Sequence, residues 1–167
     1  MCGARAVHVR CTPGASLFCG CGGPAMIDTR MDAAAISAFL AAEFPEAGRQ
    51  FTVLSAGSGC ATIRLRTGPE HLRPGGTVSG PAMFALADVA FYAAVLSAIG
   101  PQALAVTTNA AIDFMRKPPE NSELEAEARL LKLGRRLAVG DVFLRSDQLA
   151  EPVARASMTY AIAPKLS

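Results

Sequence analysis

Hydrophobic and polar side chains alternate along several stretches of the chain, and a period of two is typical of half-buried β-strands. Residues 123–130 show it most regularly, with charged side chains at every second position and Leu or Ala between them. Their composition favours a helix, but we follow the period, because tertiary burial overrides propensity. The last three predicted strands are expected to form a meander of hairpins. The predicted strands are residues 51–56, 60–67, 104–115, 123–130, 137–144 and 152–163.

The strand predicted at residues 104–115 has two faces of different character. Strict alternation places Thr108 on the same face as Ala110 and Ile112, and Thr107 on the opposite face together with Asn109. Residues 118 and 119 are both Pro and are expected to end this strand.

Two stretches have the pattern of helices. Residues 32–44 carry apolar side chains at helical spacing; Asp32 suits the N-cap, and the proline that follows is expected to end the helix. Residues 79–100 are apolar nearly all round, which suits a helix wrapped by other structure. Ser79 suits its N-cap and Gly100 its end.

The second helix is about as long as a membrane span, which needs ~20 apolar residues. Asp88 at its centre would be costly in a bilayer, and the segments that follow are predicted strands, so a soluble central helix is preferred. The pattern predicts one α+β domain over residues 26–167, with antiparallel strands curled around one long helix. Residues 1–25, rich in Gly and Cys without a period, are expected to be a disordered tail or to precede the true start.

The composition argues against several classes of protein. A net charge of +2 over 167 residues is too weak and too scattered for nucleic-acid binding. The five Cys lack the framework spacing of a disulfide-stapled secreted domain, which indicates a reducing cytoplasm. The two His do not lie in a pattern of metal ligands, so no metal site is expected.

Asp88 is the only residue with a charged side chain between positions 74 and 112. Burying a charge costs free energy unless something compensates it, so a carboxylate kept here is expected to have a use. An ionised Asp in a partly dry site can act as general base on water or as nucleophile. The alternative is a structural Asp that bonds neighbouring groups.

The sequence around this carboxylate, Leu-Ala-Asp-Val-Ala-Phe at positions 86–91, resembles hotdog-fold acyl-CoA thioesterases of the PaaI-like, phenylacetate-pathway type. In that family the central helix typically starts His-Gly-Gly, and Leu-Ala-Asp follows two turns later. Gly80 matches the first Gly, whereas Ser79 and Pro81 replace the His and the second Gly. The resemblance extends over roughly residues 51–163.

The resemblance implies a hotdog fold and hydrolysis of acyl-CoA to free acid and CoA, with Asp88 as the catalytic carboxylate and no cofactor beyond the substrate. Hydrolysis also needs donors for the developing oxyanion, and the first turn of a helix supplies free N–H groups and the positive dipole end. Pro81 cannot donate, so the Gly80 N–H is the better candidate. The alternative interpretation of Gly80 is a tight entry to the helix.

The spacing of these two residues predicts an oligomer. Gly80 and Asp88 are eight residues apart, which is ~12 Å along a helix. Because oxyanion donor and base must both lie near one carbonyl carbon, one helix cannot supply both to the same substrate. We expect a homodimer or homotetramer in which Gly80 of one protomer faces Asp88 of another. The resembled family builds its sites across such an interface.

Candidates for substrate binding come from three places. Two residues lie beside the start of the central helix, and two lie on the strand after it, where structural hydrogen bonding is the slightly preferred explanation. Two arginines at a turn suit the phosphates of CoA, and a Gly-Arg turn is common there in the resembled family, although a solvated charged hairpin explains them as well. The six candidates are Ser79 and Arg73 beside the helix, Thr108 and Asn109 on the strand, and Arg135 and Arg136 at the turn.

Two other functions stay open. A hotdog domain that binds acyl-CoA without turnover is favoured by the replacements at Ser79 and Pro81. A hotdog enoyl-CoA hydratase needs a catalytic His beside an acid, and no His follows Gly76. His71 precedes it in a predicted loop and is expected to be a solvated surface residue.

Overall fold

The computed structural model describes residues 27–163, so the expectations for residues 1–25 lie outside the described residues. Within the described range the helices and strands follow the predicted order. A single 3-10 turn, Pro69–His71, lies before the third strand. The helices are Ala33–Glu43 (α1), Pro45–Gln50 (α2) and Gly80–Ile99 (α3). The strands are Phe51–Gly57 (β1), Cys60–Arg66 (β2), Leu72–Arg73 (β3), Thr77–Val78 (β4), Val106–Phe114 (β5), Glu123–Leu133 (β6), Leu137–Ser146 (β7) and Leu149–Ala161 (β8).

Six of these strands form one antiparallel sheet in the order β1-β2-β6-β7-β8-β5. The long helix α3 packs against it, mainly on β2, β6 and β7. β6 is a strand, so the alternating period predicted its structure correctly and the helical composition did not. An antiparallel sheet around one long helix confirms the predicted hotdog fold.

Helix α3 is the centre of the hydrophobic core. Leu86, Phe91 and Leu96 are fully buried within it. Gly140 on β7 lets the sheet approach closely, because a Cβ there would lie 2.5 Å from the Phe91 ring. Among the described residues, α3 is the helix long and apolar enough to cross a membrane, yet 67% of its apolar stretch is buried inside the protein. It is therefore the core helix of a soluble fold.

The helices α1 and α3 begin at the predicted N-caps, and a short helix that was not predicted, α2, follows α1. Asp32 accepts the Ala35 N–H at 2.9 Å, and Ser79 accepts the Ala82 N–H at 3.3 Å. Pro45 ends α1 as expected but also begins the short helix α2, because a proline at the first helical position loses no hydrogen bond. The chain therefore changes direction at Phe44, between α1 and α2. This α1–α2 corner lines the pocket described below.

β5 departs from strict alternation because it contains a bulge. Thr107 pairs with Tyr160, but Asn109 pairs with Thr159, so Thr108 is an extra residue in the strand. An extra residue shifts the faces by one position. Thr107 is therefore on the same face as Ala110, and the predicted face assignment is wrong at Thr107 and Thr108.

Candidate active site

The Asp88 carboxylate is held by two hydroxyl groups. Its Oδ1 accepts a hydrogen bond from Thr107 Oγ1 at 2.7 Å and another from the Tyr160 hydroxyl, also at 2.7 Å. No Lys, Arg or His between residues 27 and 163 forms an ion pair with it. The charge that sequence analysis left uncompensated is thus stabilised by neutral donors, on one oxygen only.

Tyr160 is a rigid partner for this carboxylate. The residue is 3% exposed, and its ring meets Phe91 edge-on at 5.1 Å and stacks on Tyr92 at 6.2 Å. Burial, together with the negative charge of Asp88, raises the pKa of Tyr160 well above its ordinary value. The phenol therefore stays protonated at physiological pH and acts as a donor.

The bulge in β5 brings Thr107 to Asp88. Thr108, the extra residue, donates its hydroxyl proton to Thr159 O at 3.1 Å instead. Asn109 follows it as an exposed residue. Neither Thr108 nor Asn109 lines the pocket around Asp88, so their predicted contact with substrate stays a prediction.

An apolar pocket of about 270 Å³ opens beside Asp88. The corner between α1 and α2 forms one wall and α3 another, while the start of β5 and the end of β8 complete it. Asp88 is the only lining residue with a charged side chain. The lining residues are Leu40, Phe44, Ala47, Asp88, Val89, Tyr92, Ala103, Ala105, Val106, Thr107 and Tyr160.

Two aromatic side chains shape this pocket. Phe44 meets the Tyr92 ring edge-on at 5.8 Å and is 42% exposed, so it stands at the mouth. The Tyr92 hydroxyl donates to Gln102 O at 3.3 Å rather than to Asp88. Burial raises the pKa of Tyr92 to about 12, with a smaller contribution from the charge of Glu43. The Tyr92 side of the pocket therefore stays neutral at physiological pH.

Gly80 lies in a second pocket, of about 240 Å³. Within the described chain its N–H has no acceptor, Pro81 has no N–H, and the next N–H, from Ala82, is taken by Ser79. Ser79 thus acts as a helix cap in this structure. A Cβ at position 80 would lie 3.3 Å from Phe114 Cζ. Arg73, Val78, Met83, Phe114, Met115, Arg116 and Lys117 complete the lining.

The two pockets do not share a lining residue, so the structure does not bring Gly80 and Asp88 together within one chain. Thr107 contacts Asp88 at one end of β5, and Phe114 lies against Gly80 at the other. The pockets therefore lie at opposite ends of the same strand.

The predicted arginines divide between the two ends. Arg73 lines the Gly80 pocket, and its Nε donates to Thr77 Oγ1 at 3.0 Å. Arg135 and Arg136 are exposed in the β6–β7 turn, where Arg136 O accepts the Ile162 N–H at 2.8 Å. This turn is at the Asp88 end of the sheet, outside the pocket itself.

His71 is less exposed than the sequence indicates, and the expectation of a solvated residue is wrong. Its side chain is 11% exposed, because Nδ1 accepts the Gly68 N–H at 2.9 Å and so folds the ring onto the 3-10 turn. The ring therefore stabilises a turn. Among residues 27–163, no group of three or more His, Cys, Asp or Glu side chains could hold a metal ion.

Sequence reasoning missed Thr107, Tyr160 and the α1–α2 corner. The one signal available was the polar tip of Tyr160 at a core position of an alternating strand, since a buried hydroxyl needs a partner. The bulge at Thr108 cannot be recognised from the alternation of polar and apolar residues. The turn between α1 and α2 could not be predicted either, because it depends on the short helix that begins at Pro45.

Known proteins resemble the chain in both sequence and fold. The sequence model of the Thioesterase superfamily matches residues 75–153. A candidate thioesterase from Silicibacter sp. TM1040 has 52% identity and a TM-score of 0.76 over 83% of this chain and 96% of its own. A mutant of phenylacetic acid degradation protein PaaI from Thermus thermophilus has 29% identity and a TM-score of 0.64, over 71% of this chain and 99% of its own.

A more distant structure shows the fold alone. A hypothetical thioesterase from Streptococcus pneumoniae, crystallised with coenzyme A, has 19% identity and a TM-score of 0.67 over 80% of this chain and all of its own. Comparison with curated proteins gave no significant match. The identity of 52% over most of both chains is nevertheless decisive. The chain belongs to the thioesterase superfamily, and its hotdog fold is that of a thioester hydrolase.

Proposed function

We propose that the protein hydrolyses acyl-CoA thioesters to a free acid and CoA, as PaaI-like enzymes do, with Asp88 as the catalytic carboxylate. The observation that carries this proposal is the fixed carboxylate at the edge of an apolar pocket. Oδ1 is occupied by Thr107 and Tyr160, whereas Oδ2 accepts no hydrogen bond within the described chain. Oδ2 is therefore the oxygen that can accept a proton from water or attack a carbonyl carbon.

Both hydroxyls can donate to a carboxylate oxygen, so they hold Oδ1 of Asp88 in place and leave Oδ2 for chemistry. Oδ2 can take a proton from water that attacks the thioester carbonyl carbon, or attack that carbon itself. In either route the C–S bond breaks and CoA leaves as a thiolate that takes up a proton. In the second route the acyl group remains as a mixed anhydride on Asp88, and water then hydrolyses it to the free acid and the original carboxylate. Both routes stay open, and neither uses a cofactor.

The oxyanion site is proposed to come from a second copy of the chain. β5 is the last strand of the sheet, and among residues 27–163 it pairs with β8 alone, so its other edge has no strand partner there. Several apolar residues on and beside it are exposed, among them Val106 (53%), Phe114 (49%) and Met115 (47%). An open edge with apolar side chains is a surface that proteins cover.

Antiparallel pairing of two β5 strands about their middle would cover this edge. It would also place the Phe114 end of one strand beside the Thr107 end of its partner. Gly80 would then face the partner's Asp88, as the spacing along α3 requires. A homodimer built this way has two composite sites, each with an oxyanion donor and a carboxylate, and a tetramer of two such dimers has four.

The remaining parts of the proposal concern the substrate and its location. The apolar lining suits an uncharged acyl group, and a structure of the same fold was crystallised with coenzyme A. Arg73, Arg135 and Arg136 are proposed to bind the CoA phosphates. A cytoplasmic location follows from five Cys without the spacing of a secreted disulfide framework.

A panel of acyl-CoAs with a free-thiol assay tests the reaction. We expect thiol release from at least one straight-chain or aromatic acyl-CoA, and stronger hydrolysis of uncharged than of carboxylated acyl groups. Tight binding of acyl-CoA without thiol release would establish the non-catalytic alternative. Neither binding nor release across the panel would contradict the substrate class.

Substitution of the turn arginines tests the CoA contact. Arg135→Ala and Arg136→Ala should each raise KM severalfold and leave kcat nearly unchanged, because phosphate contacts are the same in ground and transition states. Arg66→Ala is the matched control, since Arg66 is an exposed arginine at the end of β2 that pairs with Glu123 of β6. A loss confined to kcat, or no effect of either change, would count against this placement.

Phe44 tests the acyl pocket. Phe44→Ala should open the mouth and shift kcat/KM towards longer acyl groups by about tenfold, since a methylene or two in such a pocket is worth that much. Leu54→Ala removes a similarly exposed apolar side chain on β1, away from the pocket. An unchanged acyl preference in the Phe44 variant would place the acyl group elsewhere.

A further inference from the structure

Tyr160 stands out because nothing in the core requires its hydroxyl. The contacts with Phe91 and Tyr92 are made by the ring, so a phenylalanine would fill the same space. A buried hydroxyl costs free energy unless it is hydrogen-bonded, and here its shortest bond is to the Asp88 carboxylate. The hydroxyl is therefore best explained by what it does to Asp88.

We infer that Tyr160 is a positioning residue, which holds Oδ1 of Asp88 so that Oδ2 is the oxygen presented to the thioester. This inference rests on the proposed role of Asp88 in hydrolysis.

The geometry makes the Tyr160 donor specific. A neutral phenol has one proton, and the Asp88 Oδ1 at 2.7 Å is closer to it than the Asp88 backbone O at 3.1 Å. Thr107 donates to the same Oδ1 from β5. Two donors from two strands fix both the place of Oδ1 and the rotation of the carboxylate about its last bond. Charge-assisted bonds of this kind are the strong ones.

The ionisable groups nearest the carboxylate are two tyrosines and Glu43. Tyr160 on β8 and Tyr92 on α3 both have a raised pKa, so neither titrates in the acid range. Glu43, at the end of α1, lies near enough to Tyr92 to affect its pKa but forms no bond with Asp88. The two phenols therefore remain protonated when Asp88 is replaced or kept, and their hydroxyls stay hydrogen-bond donors.

Tyr160→Phe tests the inference. We expect kcat to fall by about tenfold or more, the size of one hydrogen bond to a charged group. KM should stay within about twofold, because no contact with CoA is removed.

Tyr92→Phe is the matched control. It removes a phenol hydroxyl from the same pocket, but one whose partner is Gln102 O. Its effect should fall on KM rather than on kcat, because no donor to Asp88 is removed. A structural role for Tyr160 would lower the melting temperature while kcat per folded molecule stays at the wild-type value, and that result would overturn the inference.

The double variant separates this inference from the proposed function. If Tyr160 acts through Asp88, Tyr160→Phe should cost nothing further in an Asp88→Asn background. Independent, additive losses would contradict the inference while leaving the role of Asp88 intact. A fully active Asp88→Asn enzyme would overturn the proposed function, and the inference with it.

Discussion

Asp88→Asn is expected to lower kcat by a factor of about 10² or more, the usual contribution of a positioned general base. Asn has nearly the same shape as Asp, and its side-chain oxygen can still accept from Thr107 and Tyr160. Its amide nitrogen would then stand where Oδ2 was, and an amide can neither take a proton from water nor attack a carbonyl carbon at a useful rate. A loss of kcat at constant fold is the result to expect.

The hydrogen bonds change what this substitution should do to stability. An uncompensated buried charge would make its removal stabilising, but the structure gives Asp88 two donors. We therefore expect a melting temperature close to that of the wild type. Asp141→Asn is the matched control, because Asp141 makes an exposed ion pair with Arg155 away from both pockets.

The pH dependence gives a second readout on the same variants. Either role of Asp88 needs the ionised form, so wild-type kcat should fall as acid protonates the carboxylate. The residual activity of Asp88→Asn should lack that acid limb. An Asp88→Asn protein that melts early but turns over normally per folded molecule would show a structural Asp and would remove the central residue from the mechanism.

The sequence is most informative where one local rule decides the structure. The charge-free run around Asp88 predicts the central helix, and the caps at Ser79 and Gly100 predict its ends, because these depend on nearest neighbours along the chain. The strict alternation in β6 predicts a strand against its own helical composition, because burial on one face outweighs propensity.

The partners of Asp88 depend on contacts that no local rule contains. Tyr160 is 72 residues from Asp88 in the sequence and meets it only because β8 lies beside β5 in the sheet. Thr107 meets it because the bulge at Thr108 turns the strand by one position. Alternation along a single strand predicts neither the neighbouring strand nor the bulge. The sequence analysis therefore selected Thr108 and Asn109 instead of Thr107 and Tyr160.

Mixing two inactive variants tests the composite site more directly than any single substitution. Gly80→Val should abolish most activity, because the added side chain crowds the free N–H and meets the Phe114 ring. The fold should tolerate it, since Phe114 is 49% exposed and can move aside. Asp88→Asn is inactive for a different reason, so the two variants carry complementary defects.

A mixed dimer of the two variants has one site with both residues intact and one site with both replaced. After unfolding and refolding an equimolar mixture, random pairing in a two-fold dimer should restore about a quarter of wild-type activity. A mixture of Asp88→Asn with the Gly80→Val/Asp88→Asn double variant contains no intact site and should stay inactive. Sedimentation at assay concentrations should show a dimer or tetramer in every sample.

The outcomes separate the parts of the shared-site argument. Activity that returns in the first mixture and not in the second requires Gly80 and Asp88 to act from different chains. No return, with refolded dimers present, means that each site is complete within one chain or that the chains pair in another way. A fully active wild-type monomer would rule out the pairing of β5 edges as a requirement for hydrolysis. An active Gly80→Val homodimer would remove the Gly80 N–H from the oxyanion site and leave Asp88 in place.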